Sequence, residues 1–131
     1  DVNDRYGHVT GDRVLEAFAE VLRRNIRAED EAARVGGEEF VVFAFGLLEP
    51  EALELAGRVL DAVRGHSFPC GLRLTASVGV AASLPPRWEA QYQAADEALY
   101  RAKTSGKDRA EVADLAPRLS IIVGKFGTAV A

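Results

Sequence analysis

The chain has 131 residues, 48% of them hydrophobic, which suits one compact domain that buries a core without disulfide or metal staples. A formal net charge of -4 and a pI near 5.2 exclude the broad basic face that nonspecific nucleic-acid or membrane binding requires, so phosphate chemistry must call on a metal or a few local cations. The single cysteine, Cys70, excludes an internal disulfide and is expected to pack as a small apolar group in a reducing, cytoplasmic compartment; no apolar run approaches the roughly 18 residues of a membrane span.

In chain order, Asn3 to Asp12 reads as a polar loop with two glycines, and Leu15, Phe18, Leu22 and Ile26 then mark an amphipathic helix between Asp12 and Ile26. Ala32–Val35 and Phe40–Phe45 read as two strands joined at Gly36-Gly37-Glu38-Glu39; the second is apolar on both faces and therefore expected inside a sheet. Pro50 suits the first turn of a second helix, which carries Ala52, Ala56, Val59 and Val63 and stops near Gly65. From Leu72 to Val80 apolar residues alternate with Arg73, Thr75, Ser77 and Gly79, the pattern of a half-buried strand. Pro85-Pro86 precedes a third helix with a stripe of Tyr92, Ala95, Leu99 and Ala102, ending at Gly106. The residues from Ala116 onward follow no clear pattern and are expected as an extra strand or a linker. Together these elements predict a two-layer α+β domain, with helices on a mainly antiparallel sheet of about four or five strands.

Four segments carry candidate chemistry. In the first, Asn3 and Asp12 have the donor and acceptor groups to read a guanine edge, although such residues also cap helices; His8 lies between them. Arg27 and Asp30 are spaced either to grip a guanine or to form a surface salt bridge. Gly36 and Gly37 let backbone come close to a ligand and allow positive φ, while Glu38 and Glu39 are hard oxygen donors for a divalent cation. Lys103 and Lys107 flank Gly106 at a helix end, where cations clamp phosphates or simply answer the helix dipole.

In this order and spacing, Asn3-Asp4-x-Tyr6-Gly7-His8-x-x-Gly11-Asp12, Arg27-x-x-Asp30, Arg34-Val35-Gly36-Gly37-Glu38-Glu39-Phe40, Ser77-Val78-Gly79 and Asp96-x-Ala98-Leu99-Tyr100-x-Ala102-Lys103-x-x-Gly106-Lys107 resemble the GGDEF domain family of diguanylate cyclases. The resemblance implies a palm-like fold, a GGDEF domain over residues 1–114 and a tail of unassigned role at 115–131. It implies condensation of two GTP into cyclic di-GMP with release of pyrophosphate, dependence on magnesium or manganese, and a homodimer that brings two half-sites together. By position, Asn3, His8, Asp12, Gly36, Gly37, Lys103 and Lys107 would bind substrate, Glu38 and Glu39 would hold metal, with Glu38 also the proton acceptor, and Arg27 and Asp30 would form an inhibitory product site.

Family members also carry a strand before the position of Asp1, with a metal-binding aspartate and a lysine. This chain, which contains no methionine and opens abruptly, lacks both and reads as a piece of a longer protein with an N-terminal sensory domain. The expectation is therefore a sheet short of a central strand and a fragment of low activity. The alternatives are an inactive domain acting as a cyclic di-GMP receptor, and a purely structural dimerisation module.

Overall fold

A computed structural model describes residues 2–82, 88–113 and 120–128. Its elements are α1 (Val2–Tyr6), α2 (His8–Asn25), β1 (Glu31–Gly36), β2 (Glu39–Ala44), α3 (Glu49–Gly65), β3 (Leu74–Ala82), α4 (Trp88–Thr104), β4 (Ala110–Val112) and β5 (Ser120–Thr128). The strands make one sheet in the order β1-β2-β5-β3-β4, antiparallel except where β3 meets β4. The α+β class and the mainly antiparallel sheet are as the sequence predicts.

Asn3 to Asp12 is not a loop. It forms α1 and the first turn of α2, with Gly7 between them at φ 83, a backbone conformation that favours glycine. The buried stripe of α2 centres on Val14, Phe18, Val21 and Leu22, which leaves Leu15 and Ile26 only partly covered. Pro50 lies in the first turn of α3, as expected, and the Glu51 carboxylate accepts a hydrogen bond from the Leu48 amide at 2.7 Å to close that helix start.

Helices cover both faces of the sheet, so the expected two layers become three. On one face α2 and α3 pack against Phe40, Val42, Leu74, Ala76, Val78 and Val80, with the Phe18 and Phe40 rings 5.0 Å apart. On the other, α4 brings Ala95, Ala98 and Leu99 onto Val41 and Ala81. β3 is accordingly buried on both sides rather than one: Ser77 is 4% exposed and Ala81 0%. A Cβ on Gly79 would overlap the Ala95 carbonyl oxygen and lie 2.5 Å from the Leu99 nitrogen, so the glycine is what lets α4 rest on the strand.

The expected gap at the sheet centre is filled. β5 runs antiparallel between β2 and β3, opposing Lys125 to Glu39 on one side and to Ser77 on the other. Of the two readings for the C-terminal segment, residues 120–128 thus realise the strand. β4, unmarked in the sequence, adds a short parallel edge; Pro85-Pro86 fall outside the described residues. Cys70 is exposed, not packed, because it occupies the corner of the Pro69–Gly71 turn with φ 60.

Candidate active site

β2, β3 and β4 run in the same direction, and Phe40, Gly124, Val78 and Ala110 share one row across the sheet. The Gly37-Glu38 turn before β2 and the Ser105–Arg109 segment before β4 therefore stand at the same end. The turn closes tightly. Gly36 pairs with Glu39, a register shift sits between Arg34 and Gly36, and the Arg34 Nε donates to the Gly37 carbonyl at 3.1 Å. Bulges of this kind re-aim the residues that follow them. Neither Gly36 nor Gly37 takes a positive φ, contrary to the sequence-based expectation. Their contribution is the missing Cβ: at Gly36 it would stand 3.2 Å from the Glu39 Oε2, and at Gly37 the space is open.

Glu38 and Gly37 line a cavity of about 380 Å³ together with Asn3, Gly11, Asp12 and Arg34. A neighbouring cavity of about 440 Å³, between α2 and β1, shares Asp12, Leu15 and Arg34 with it. Asn3 reaches this wall because α1 folds back on α2. The Gly7 amide donates to the Asn3 carbonyl at 2.9 Å, and the Asn3 carboxamide lies where a Cβ on Gly11 would be. Leu15, half-buried, is an apolar residue common to both walls, so the two cavities combine amide and carboxylate groups with a greasy surface suited to a flat heterocycle.

Of the residues singled out from the sequence, Asn3, Asp12, Gly37 and Glu38 come together here. Gly36 and Glu39 adjoin the turn, with the Glu39 carboxylate folded back beside Gly36. His8 is exposed at the start of α2 and is not part of this wall. Lys103, half-buried in the last turn of α4, and Lys107, exposed just beyond that helix, lie at the same end of the sheet. Lys107 has φ 62 and donates its amide to the Ala102 carbonyl at 2.9 Å. Arg64 fastens the next residue, its Nε donating to Asp108 Oδ1 at 2.8 Å and its Nη2 to the Asp108 carbonyl at 3.0 Å.

Arg27 and Asp30 close on each other. The Arg27 Nη2 donates to Asp30 Oδ1 at 2.6 Å and to the Phe45 carbonyl at 2.7 Å, and the Arg27 amide reaches Asp30 Oδ2 at 2.9 Å. The Asp30 side chain is fully buried while Arg27 is 35% exposed. Burial pushes the Asp30 carboxyl upward, but the hydrogen bonds and charge of Arg27 outweigh it and hold the pKa below the ordinary carboxylate value.

Among the described residues no group of three or more His, Cys, Asp or Glu is arranged to hold a metal. The donor set fits magnesium in a more limited way: such an ion is commonly held by one or two carboxylates and completed by water and substrate phosphates, and Glu38 supplies one such carboxylate at a cavity wall. Gly11, Leu15, Arg34 and Arg64 are site residues that the sequence reading did not assign. Gly11 and Arg34 stood in the quoted motifs without a role and Leu15 in the apolar stripe of α2, while Arg64 carried only a charge near a helix end.

The family model described as "Diguanylate cyclase, GGDEF domain" matches residues 1–109. The chain belongs to this family. The GGDEF chain is 42% identical over 120 residues to the diguanylate cyclase DgcP of Pseudomonas aeruginosa, covering 86% of this chain and 17% of that protein. It is 39% identical over 108 residues to the diguanylate cyclase DgcS of Shewanella oneidensis, covering 82% of this chain and 36% of that protein. It therefore spans well under half the length of these curated relatives. Among solved structures, the active GGEEF domain of a diguanylate cyclase from Vibrio cholerae is similar with a TM-score of 0.79 and 28% identity, over 88% of this chain and 76% of that one. That neighbour, like this chain, has glutamate as the first acid of the turn. No helix among the described residues is long and apolar enough to cross a membrane.

Proposed function

We propose that this GGDEF domain is a cytoplasmic diguanylate cyclase module that condenses two GTP into cyclic di-GMP. The observation that carries the reading is that Glu38, at the tip of the β1–β2 turn, shares one cavity wall with Asn3 and Asp12. Asn3 and Asp12 take the guanine edge by amide and carboxylate hydrogen bonds, and Leu15 offers the ring an apolar contact. Gly37 lets phosphate oxygens approach backbone, and Lys103 and Lys107 neutralise the triphosphate.

In each of two linked steps the 3′-hydroxyl of one nucleotide attacks the α-phosphorus of the other. The new O–P bond forms as the bond to the β-phosphate bridging oxygen breaks, pyrophosphate leaves with that electron pair, and Glu38 accepts the hydroxyl proton. Glu38, with Glu39 as the adjoining carboxylate, would hold a magnesium or manganese ion, which would supply charge neutralisation at the phosphates when bound. The reaction needs two such sites face to face, so the working unit is a homodimer, driven in the longer protein by an N-terminal sensory domain.

Arg27 and Asp30 form the product-inhibition site in this reading; occupation by product requires Arg27 to give up part of its bonding to Asp30 and Phe45. An inactive receptor is not the favoured reading, because a receptor has no need of the Gly37-Glu38 turn that stands at the cavity wall beside Asn3 and Asp12.

The test uses GTP with magnesium. The Glu38→Gln chain should bind GTP in calorimetry as the unaltered chain does, yet lose at least about a hundred-fold in pyrophosphate release. Undiminished turnover in that variant would remove Glu38 from the reaction. Absence of any GTP binding by the unaltered chain would defeat the whole reading.

A further inference from the structure

Lys107 stands in an unusual stretch of backbone. Gly106, Lys107 and Asp108 follow one another with φ 117, 62 and 47. Outside glycine such angles are uncommon, less so for aspartate than for lysine, and they persist only where surrounding contacts over-determine them. Here the contacts come from three elements. The Lys107 amide donates to the Ala102 carbonyl of α4 at 2.9 Å, and the Val78 amide of β3 donates to the Arg109 carbonyl at 2.9 Å. Between these two points, the grip on Asp108 comes from Arg64 in the last turn of α3. Its Nε holds the Asp108 carboxylate and its Nη2 the Asp108 carbonyl, while Nη1 donates to Asp61 Oδ1 at 2.8 Å, one turn back on α3. With all three nitrogens engaged the guanidinium keeps one orientation, and its planar fork fixes the backbone and side chain of Asp108 together.

We propose that Arg64 is a positioning residue for the nucleotide triphosphate: by holding Asp108 it fixes the backbone of Lys107 at the end of the sheet where the Gly37-Glu38 turn also stands. This rests on the cyclase reading, which gives Lys107 to the triphosphate, and extends it to a residue that acts without touching the nucleotide. A lysine loses much rotamer freedom when it binds, and a backbone ordered beforehand removes the further cost of ordering the segment as nucleotide arrives. Loosening that backbone therefore weakens what Lys107 binds and leaves the rest of the site unaltered. GMP, which has no β- or γ-phosphate, is the ligand that does not sense the change.

Calorimetry with GTP and with GMP, on the full chain and its Arg64→Gln, Lys107→Gln and doubly substituted variants, tests the proposal. Arg64→Gln should weaken GTP about five-fold and Lys107→Gln about ten-fold, and both should leave GMP unchanged. The double variant should lose no more than about ten-fold, because Arg64 acts only through Lys107. Arg64→Lys keeps the charge without the fork and should bind GTP as weakly as Arg64→Gln. Before any nucleotide is added, the amide order parameters of Lys107 and Asp108 should be lower in Arg64→Gln than in the unaltered chain. Losses that multiply to about fifty-fold in the double variant would show Arg64 acting on its own and would overturn the proposal. So would full GTP binding by Arg64→Lys, equal losses for GTP and GMP, unchanged order parameters, or undiminished GTP binding in either single variant. If the unaltered chain bound no GTP, the cyclase reading would fall together with this inference; if it bound GTP and only Lys107→Gln weakened it, this inference alone would fall.

Discussion

At Gly11 a single added methyl group would coincide with the Asn3 carboxamide. Gly11→Ala should therefore swing Asn3 away from the cavity wall, weakening GTP about ten-fold in calorimetry while the melting temperature changes little, since Asn3 is an exposed, movable side chain. The Asp30 carboxylate makes a different demand. Its folded-state pKa is lowered by Arg27, so its stabilisation is complete above the unfolded-chain value of about 3.9 and is lost as pH falls through the folded value. Asp30→Asn should cost about 2 kcal/mol in urea unfolding at pH 7, and the gap to the unaltered protein should narrow at pH 3. A gap that stayed constant across that range would show that the carboxylate charge is not what Arg27 holds.

Among the secondary-structure elements, the contact of α4 with β3 is the least tolerant. Gly79→Ala forces the helix backbone off the strand, and an overpacked core of this kind costs about 1–3 kcal/mol, or a melting temperature lower by roughly 5–10 °C. Gly57→Ala on α3 is the control. Nothing lies within 4 Å of its added Cβ, and replacing a helical glycine with alanine should leave stability unchanged or raise it by up to about 1 kcal/mol. The same contact explains where the sequence was legible. Periodicity of three and four marked α2, α3 and α4, and the double-sided apolar run marked β2, because each signal is local. Thr75, Ser77 and Gly79 looked like a solvent face because small residues serve close helix packing as readily as they serve water. The turn with Glu38 and the α1–α2 residues Asn3 and Asp12 were legible as a linear motif. Arg34 stood in the same motif, though its hold on the Gly37 carbonyl did not show there; Arg64 was not legible, since Asp108, which it holds, lies far away in the sequence.

For the molecule as a whole, β5 joins two halves. Without it, β2 and β3 lose the partner that each pairs along its length, and β1–β2 is connected to β3–β4 only through helices. A chain ending at Ala113 should retain helical circular dichroism but lose its cooperative thermal transition, with fast amide exchange in β2 and β3. Protection equal to that of the full chain would mean that the two halves hold together by helix packing alone. The order of synthesis adds a further consequence. Since every other described strand precedes β5 in the chain, a ribosome making this domain releases the flanks of the sheet before its middle, and the emerging polypeptide must keep two facing strand edges from pairing with anything else until residues 120–128 arrive.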